Sequence, residues 1–165
     1  RRVGAAEGVG SGTVFEILVP GPQTTVQDLC RAGYFRHGVG RAGAADDLAL
    51  RMGNSLVGNP ETEAGLEVLM GGLKLRFSSS SETHVTVAIT GADCAVKLGT
   101  KARGQEQTVP VRVNQTVALR NGDELTFGYA KDGMRTYVAV AGGIDVPLVL
   151  GSKATDVRGR MGGFE

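Results

Sequence analysis

A chain of 165 residues with 41% hydrophobic and 21% charged residues is long enough for one folded domain and too short for two comfortable ones. Its 18 basic and 17 acidic residues give a formal net charge of +1, and it has no Trp and 5% aromatic residues. We therefore expect neither nucleic acid nor an anionic membrane surface as a partner.

Cysteine content and apolar runs narrow the class of protein further. Cys30 and Cys94 match no zinc or redox spacing, so we interpret both as reduced thiols, and we expect no metal site. The longest apolar run, residues 137–144, is too short to cross a bilayer. Residues 1–12 are small and Gly-rich and lack the apolar core of a secretory signal, which predicts a disordered linker or tag-like segment. These features are typical of a cytoplasmic protein or of a piece of a longer one.

The first predicted elements are a strand, a long loop and a helix. Residues 15–19 are β-branched and apolar and end at Pro20, which predicts a strand. A loop follows to Asp47, with one short helical turn predicted over 24–30. From 45 to 57 the apolar residues recur at three- and four-residue spacing, with Gly58 after the last of them, and this predicts a helix.

The remainder of the chain reads as short strands separated by tight turns. The Gly71-Gly72 pair predicts a two-residue hairpin turn between two of these strands, because glycine adopts positive φ angles at low cost. Eight or so short strands with one good helix indicate a mainly β fold, a barrel or sandwich with a helical cap. The strands after the helix are predicted over 66–70, 73–77, 85–90, 95–98, 109–113, 116–119, 125–129 and 135–141.

Polar and charged side chains are concentrated in the loop that runs from Pro20 to Asp47. A connection of this length is uncommon in a compact domain unless it serves a site, although a long surface connection explains it equally well. Asp28 and Arg31 are three residues apart in this loop and would share one face of a helical turn. They could form an ion pair that holds the loop in shape. Alternatively, Arg31 could bind a substrate carboxylate or carbonyl while Asp28 orients it or accepts a proton. Spacing leaves both hypotheses open.

Several ordered motifs resemble the biotin-dependent carboxyltransferase family, which includes allophanate hydrolase subunit 2, the C subunit of 5-oxoprolinase and part of urea carboxylase. The match extends from about Phe15 to the end of the chain. Its carriers are PGPQTTVQD with Arg31 and Gly33, Gly38-Val39, Gly43-Ala44, Asp46, ALR with Asn54, LVGNP, Leu66-Glu67, TGA at 90–92 and GMRTYVAVAGGIDVPLVLGSKATD.

This resemblance implies a cyclophilin-like β-barrel with one or two short helices, over residues 13–165, as the first half of a two-barrel arrangement. It implies a subunit or domain of an ATP-linked enzyme that acts on a small amide. The reaction would be either opening of the 5-oxoproline lactam or carboxyl transfer or hydrolysis of the urea or allophanate type. The site would form with a companion barrel similar to allophanate hydrolase subunit 1. ATP would act through the complex, and biotin is left open as a second cofactor.

Applied to this sequence, the resemblance and the loop composition assign catalysis to Asp28 and Arg31. Four family positions differ here: Cys30, Gly40, Ala42 and Ala45 replace Gly, Pro, Ser and Met. Loss of the Ser hydroxyl at Ala42 removes a polar group, which favours the alternative of a non-catalytic barrel that binds and regulates a partner protein. The substrate contacts predicted in the same way are Thr25, Gln27, Asp46, Arg51, Asn54 and Arg135.

Overall fold

The computed structural model describes residues 2–5, 14–79, 84–102 and 105–164, and these residues form two antiparallel β-sheets with one α-helix. The helix α1 spans Asp47–Leu56, and a 3-10 helix spans Phe35–His37. The strands are β1 (Arg2–Ala5), β2 (Val14–Pro20), β3 (Gln23–Gln27), β4 (Gly65–Leu69), β5 (Leu73–Ser78), β6 (Val85–Gly91), β7 (Lys97–Ala102), β8 (Gln105–Pro110), β9 (Gln115–Leu119), β10 (Glu124–Thr126), β11 (Arg135–Val140) and β12 (Ile144–Asp145).

The two sheets divide the strands unequally. One sheet has the order β12-β1-β2-β5-β10-β7-β8, and the other has the order β3-β4-β11-β6-β9. Strand pairing within the described residues does not close the two sheets into one barrel. The predicted mainly β class is confirmed, and the arrangement is compatible with a cyclophilin-like fold.

The larger of two apolar clusters among the described residues is built from strand residues, because side chains alternate between the two faces of each strand. In β5, Leu73, Leu75 and Phe77 are fully buried while the intervening residues are half-buried. Phe77 packs against Phe15 of β2, with ring centroids 5.5 Å apart. Full burial of each such side chain contributes about 1.5–3 kcal/mol. Burial of these side chains therefore stabilises the two sheets, and the polar loops connect their strands.

Helix α1 begins with a side-chain cap and packs against β6 and β11. The Asp46 carboxylate accepts a hydrogen bond from Ala49 N at 3.0 Å, which satisfies one of the free N–H groups of the first turn. Leu50 is buried on the inner face, and a Cβ at Gly53 would lie 3.1 Å from Thr90 Oγ1. Gly53 thus allows the close approach of the helix to the sheet. The predicted helix is confirmed.

The predicted hairpin at Gly71-Gly72 is wrong, although both residues do have positive φ angles, 92° and 74°. Strand β4 pairs with β3 and β11, whereas β5 pairs with β2 and β10 in the other sheet. Gly72 N donates to Gly128 O at 3.0 Å, and a Cβ on Gly71 would overlap the same carbonyl oxygen. The two glycines carry the chain from one sheet to the other.

Three further predictions change in the structure. The helical turn expected over 24–30 is replaced by strand β3, since Val26 and Gln27 are buried and pair with β4. Arg2–Ala5, expected to lack structure, form β1 between β2 and β12, while residues 1 and 6–13 lie outside the described residues. The strand predicted over 109–113 lies instead at β8, which ends at Pro110.

Candidate functional site

The predicted catalytic residue Asp28 contacts a segment close to the C-terminal end of the chain, residues 149–155, here called the C-terminal segment. Ser152 Oγ donates to Asp28 Oδ1 at 2.9 Å, and Lys153 N donates to Oδ2 at 2.7 Å. The Asp28 carbonyl accepts a hydrogen bond from Ala44 N at 2.8 Å. Both oxygens of the Asp28 carboxylate therefore bind the C-terminal segment.

Arg31 is held by the same segment and is buried, with 1% of its surface exposed. Its Nε donates to Val149 O at 3.0 Å, and its Nη2 donates to Ala154 O at 2.8 Å. Within the described residues no ion pair joins Arg31 to Asp28, and Arg31 Nη1 has no hydrogen-bond partner there. The contacts favour a structural role for both residues, and their assignment to catalysis stays a prediction.

Gln27 and Thr25 extend this network. Gln27 is 6% exposed; its Nε2 donates to Thr155 O at 3.1 Å and to Thr25 Oγ1 at 3.0 Å. Its Oε1 accepts from Gly43 N at 3.0 Å. Gln27, at the end of β3, thus connects the loop around Gly43 to the C-terminal segment. Thr25 also lines a small cavity of about 280 Å³ together with Phe164.

Arg51 and Asn54, also predicted to bind substrate, lie on helix α1 and contact the chain that follows it. Arg51 forms ion pairs with Glu61 at 2.9 Å and Asp47 at 3.9 Å. Asn54 is fully buried and donates from Nδ2 to Glu63 O at 2.7 Å and to Glu61 O at 3.3 Å. Apart from the ion pair with Asp47, these contacts fix the connection between α1 and β4.

The remaining two predicted substrate contacts, Asp46 and Arg135, line one open cavity of about 790 Å³. Asp93, Lys131 and Asp132 line the same cavity, so that three carboxylates and two cationic side chains surround it. Such a mixed lining can offer both hydrogen-bond donors and acceptors to a small polar ligand. We refer to it as the Arg135 cavity.

The Arg135 guanidinium at this cavity has buried donor groups that no described residue satisfies. Arg135 Nε lies 3.2 Å from Glu67 Oε1, a distance that makes an ion pair. The contact is not a hydrogen bond, however, and neither Nε nor Nη1 has a hydrogen-bond partner among the described residues. Buried donors are paired in most native structures, and because the Arg135 side chain lines a cavity, its unpaired donors have room to meet a ligand.

Glu67 links Arg135 to helix α1 through Tyr137. The Tyr137 hydroxyl donates to Glu67 Oε2 at 2.6 Å and accepts from Asp46 N at 2.8 Å. Ala45 N donates to the same Glu67 oxygen at 2.8 Å. Burial, together with the hydrogen bond to Glu67, raises the pKa of the Tyr137 phenol above its ordinary value. Tyr137 therefore remains a proton donor to Glu67 at neutral pH.

A family model described as "carboxyltransferase domain, subdomain A and B" matches residues 37–165. The chain belongs to this carboxyltransferase family. It is 40% identical over 152 residues to the C subunit of 5-oxoprolinase from Escherichia coli (strain K12), covering 92% of this chain and 45% of that protein. It is 38% identical over 151 residues to urea amidolyase of Lachancea kluyveri, covering 91% of this chain and 8% of that protein.

A crystal structure of the K. lactis urea amidolyase has the same fold, with a TM-score of 0.77 at 36% identity over 90% of this chain and 8% of that one. The chain thus spans less than half the length of these curated relatives. The family match includes every residue of the Arg135 cavity, whereas Asp28 and Arg31 precede it. The resemblance expected from the sequence is confirmed.

Sequence reasoning on this carboxyltransferase-family chain missed Glu67 and Tyr137. Both lie in motifs that carried the resemblance, but they are 70 residues apart, so that spacing could not join them. The sequence signal that could have joined them is strand periodicity. Arg135 and Tyr137 are two residues apart on β11 and therefore project from the same face. The register then places Tyr137 opposite Glu67 of β4.

Two absences complete the description of the site. In the part of the chain that the structure describes, no group of three or more His, Cys, Asp or Glu residues is arranged to hold a metal ion. Over the same residues, no helix has the length and apolar character needed to cross a bilayer.

Proposed function

We propose that this carboxyltransferase-family chain is part of an ATP-linked enzyme that acts on a small amide, and that the Arg135 cavity binds the amide. The observation that carries the proposal is the buried, unpaired Nη1 of Arg135 at a cavity lined by three carboxylates. The similarity to the 5-oxoprolinase C subunit and to urea amidolyase supports the choice of substrate class.

The chemistry of an amide is complementary to this lining. A guanidinium presents a planar set of N–H donors that suits a carbonyl or carboxylate oxygen, and Arg135 supplies it. The carboxylates of Asp46, Asp93 and Asp132 can accept hydrogen bonds from amide N–H groups. 5-Oxoproline carries a lactam and a carboxylate, and urea carries one carbonyl and two amino groups. Both substrates present an oxygen beside an N–H group.

The cofactors fit this chain to different degrees. The ureido ring of biotin has a carbonyl between two N–H groups, so the donors and acceptors of the Arg135 cavity suit it as they suit urea. Biotin would supply a carrier for the carboxyl group. For ATP, the sequence has no Gly-Lys-Ser/Thr phosphate loop, and we assign ATP to a companion subunit. We infer that the companion has a related barrel fold and that the complex acts in the cytoplasm.

Ligand binding to the complex of the full-length protein with its companion subunit tests this proposal. We expect 5-oxoproline or urea to bind, and Arg135→Ala to weaken binding by about tenfold to several thousandfold, since removing a charge-assisted contact costs about 2–5 kcal/mol. Arg120→Ala, at an exposed arginine, is the matched control. Titration calorimetry measures both. Equal affinity in Arg135→Ala and the unaltered complex would contradict the assignment of the cavity.

A second candidate function is a non-catalytic domain that binds and regulates a partner protein. Three apolar side chains spaced four residues apart on α1 favour it, since Leu48, Met52 and Leu56 are 64%, 41% and 42% exposed. The two functions differ in turnover. A reconstituted complex that consumes ATP in proportion to amide supports the enzyme, whereas partner binding without any turnover supports regulation.

A further inference from the structure

We infer that Glu67 is a positioning residue that holds Arg135 and the first turn of α1 in the arrangement needed for ligand binding. This inference rests on the proposed function, because it concerns the same cavity. Glu67 does not line the cavity. It acts on the ligand through Arg135, which does.

The contacts of the Glu67 carboxylate are divided between two sides of the site. Oε1 faces Arg135 Nε at 3.2 Å, while Oε2 accepts hydrogen bonds from the Tyr137 hydroxyl and from Ala45 N. The Glu67 side chain is 11% exposed. With both oxygens engaged by three groups, the carboxylate has little freedom to rotate.

Strand register explains why Glu67 reaches both groups. Glu67 of β4 is directly opposite Tyr137 of β11, and Arg135 is opposite Leu69. Arg135 and Tyr137 project from the same face of β11 because they are two residues apart. Glu67 is thus the cross-strand neighbour of Tyr137 and the diagonal neighbour of Arg135, both within reach of a long side chain.

The orientation of the guanidinium follows from its planarity. Nε, Nη1 and Nη2 lie in one plane, so that an anion beside Nε limits the plane in which Nη1 can present its N–H groups. Glu67 is the ion-pair partner of Arg135 among the described residues. Without this negative charge, the guanidinium would be free to turn away from its present position.

The second oxygen of the Glu67 carboxylate, Oε2, is linked through Tyr137 to Asp46, another residue of the cavity. Tyr137 donates to Glu67 and accepts a hydrogen bond from Asp46 N at 2.8 Å. Asp46 lines the cavity and caps α1. One carboxylate therefore sets the position of a cationic donor and, through Tyr137, of an anionic acceptor.

A double-mutant cycle in the complex with the companion subunit tests the inference, with 5-oxoproline and urea as probes. Glu67→Gln keeps the size of the side chain and removes its charge. We expect it to weaken binding about tenfold, within the range of coupling known for contacting residues. In the Arg135→Ala background, the same change should weaken binding less, because only the part that acts through Tyr137 and Asp46 remains. Glu61→Gln, at the exposed partner of Arg51, is the control and should leave affinity unchanged.

The outcomes separate this inference from the proposed function. If Arg135→Ala leaves affinity unchanged, or if neither probe binds the unaltered complex, the proposed function fails and this inference with it. If Arg135→Ala weakens binding while Glu67→Gln does not, the inference alone is overturned. A merely structural Glu67 would lower the melting temperature in both backgrounds without changing the affinity of the folded protein.

Tyr137→Phe provides an independent variant if Glu67→Gln does not fold. The ring stays, and the hydroxyl that joins Glu67 to Asp46 N is removed. We expect affinity to fall several-fold in the unaltered background and by a similar factor in the Arg135→Ala background, because the hydroxyl positions Asp46 without contacting Arg135. Affinity equal to that of the unaltered complex in a folded Tyr137→Phe protein would overturn the inference.

Discussion

Arg31→Ala distinguishes a structural role from a catalytic role of the long loop. Arg31 is buried and donates to two carbonyl oxygens of the C-terminal segment, on Val149 and Ala154. Its removal leaves both carbonyls without this donor and opens a cavity where the side chain was. We therefore expect the variant to be less stable, in contrast to the unchanged melting temperature that a substrate-binding Arg31 predicts.

The size of the loss follows from the two hydrogen bonds. Each hydrogen bond to a charged group contributes about 1.5–3 kcal/mol, so the pair contributes at least about 3 kcal/mol. We take the lower end because Nη1 is buried without a partner among the described residues, which already disfavours the folded state. For a chain of this size, about 3 kcal/mol corresponds to a fall of about 6–12 °C in melting temperature.

Thermal unfolding followed by circular dichroism measures this change. Arg41→Ala is a matched control in the same loop, because Arg41 is exposed and its side chain contacts Cys30 Sγ at 3.3 Å. We expect Arg41→Ala to melt close to the unaltered protein. Arg31→Lys should fall between the two, since an ammonium keeps the charge and lacks the planar fork that reaches both carbonyls. An unchanged melting temperature in Arg31→Ala, together with lost ligand binding, would refute the structural role.

Two further predictions concern the sheet crossing and the buried phenol. Gly71→Ala should lose more than about 4 kcal/mol of unfolding free energy, because its Cβ would overlap Gly128 O, whereas Gly122→Ala, with a similar φ and open space, should lose about 1–2 kcal/mol in urea titrations. Tyr137 has a raised folded-state pKa, so the stability it contributes is present below about pH 10 and lost above it, by about 1.4 kcal/mol per pH unit. Tyr137→Phe should show a weaker decline above pH 10 than the exposed-site control Tyr129→Phe. Equal losses of unfolding free energy in the two glycine variants would contradict the first prediction. Equal falls in unfolding free energy above pH 10 in the two tyrosine variants would contradict the second.

Local sequence patterns were sufficient for most of the secondary structure. The alternation of Val85, Val87 and Ile89 predicted β6. The four-residue spacing of Leu48, Met52 and Leu56 predicted α1, although these three side chains are exposed and Leu50 is the buried leucine of the helix. Both patterns express periods of the backbone itself, so that a window of ten residues contains the information. The motifs that carried the family resemblance are likewise local.

The pairing of strands needed more than local pattern. Gly71 and Gly72 were correctly expected to have positive φ angles, but a hairpin and a crossing between sheets require the same backbone freedom there. The choice depends on Gly128, whose carbonyl accepts from Gly72 N. That contact lies more than fifty residues along the chain, beyond the reach of any turn rule.

The sequence by itself determined most of the strand and helix content, the family and the residue types that could form a site. Tertiary structure alone decided which of those residues meet. Arg31 reaches a carbonyl 123 residues away, and Tyr137 reaches Glu67 across 70 residues. The physical reason is that hydrogen bonds and ion pairs act over about 3 Å in space, whereas sequence spacing records distance along the chain. The Arg135 cavity exists only where strand register and helix packing bring such distant side chains together.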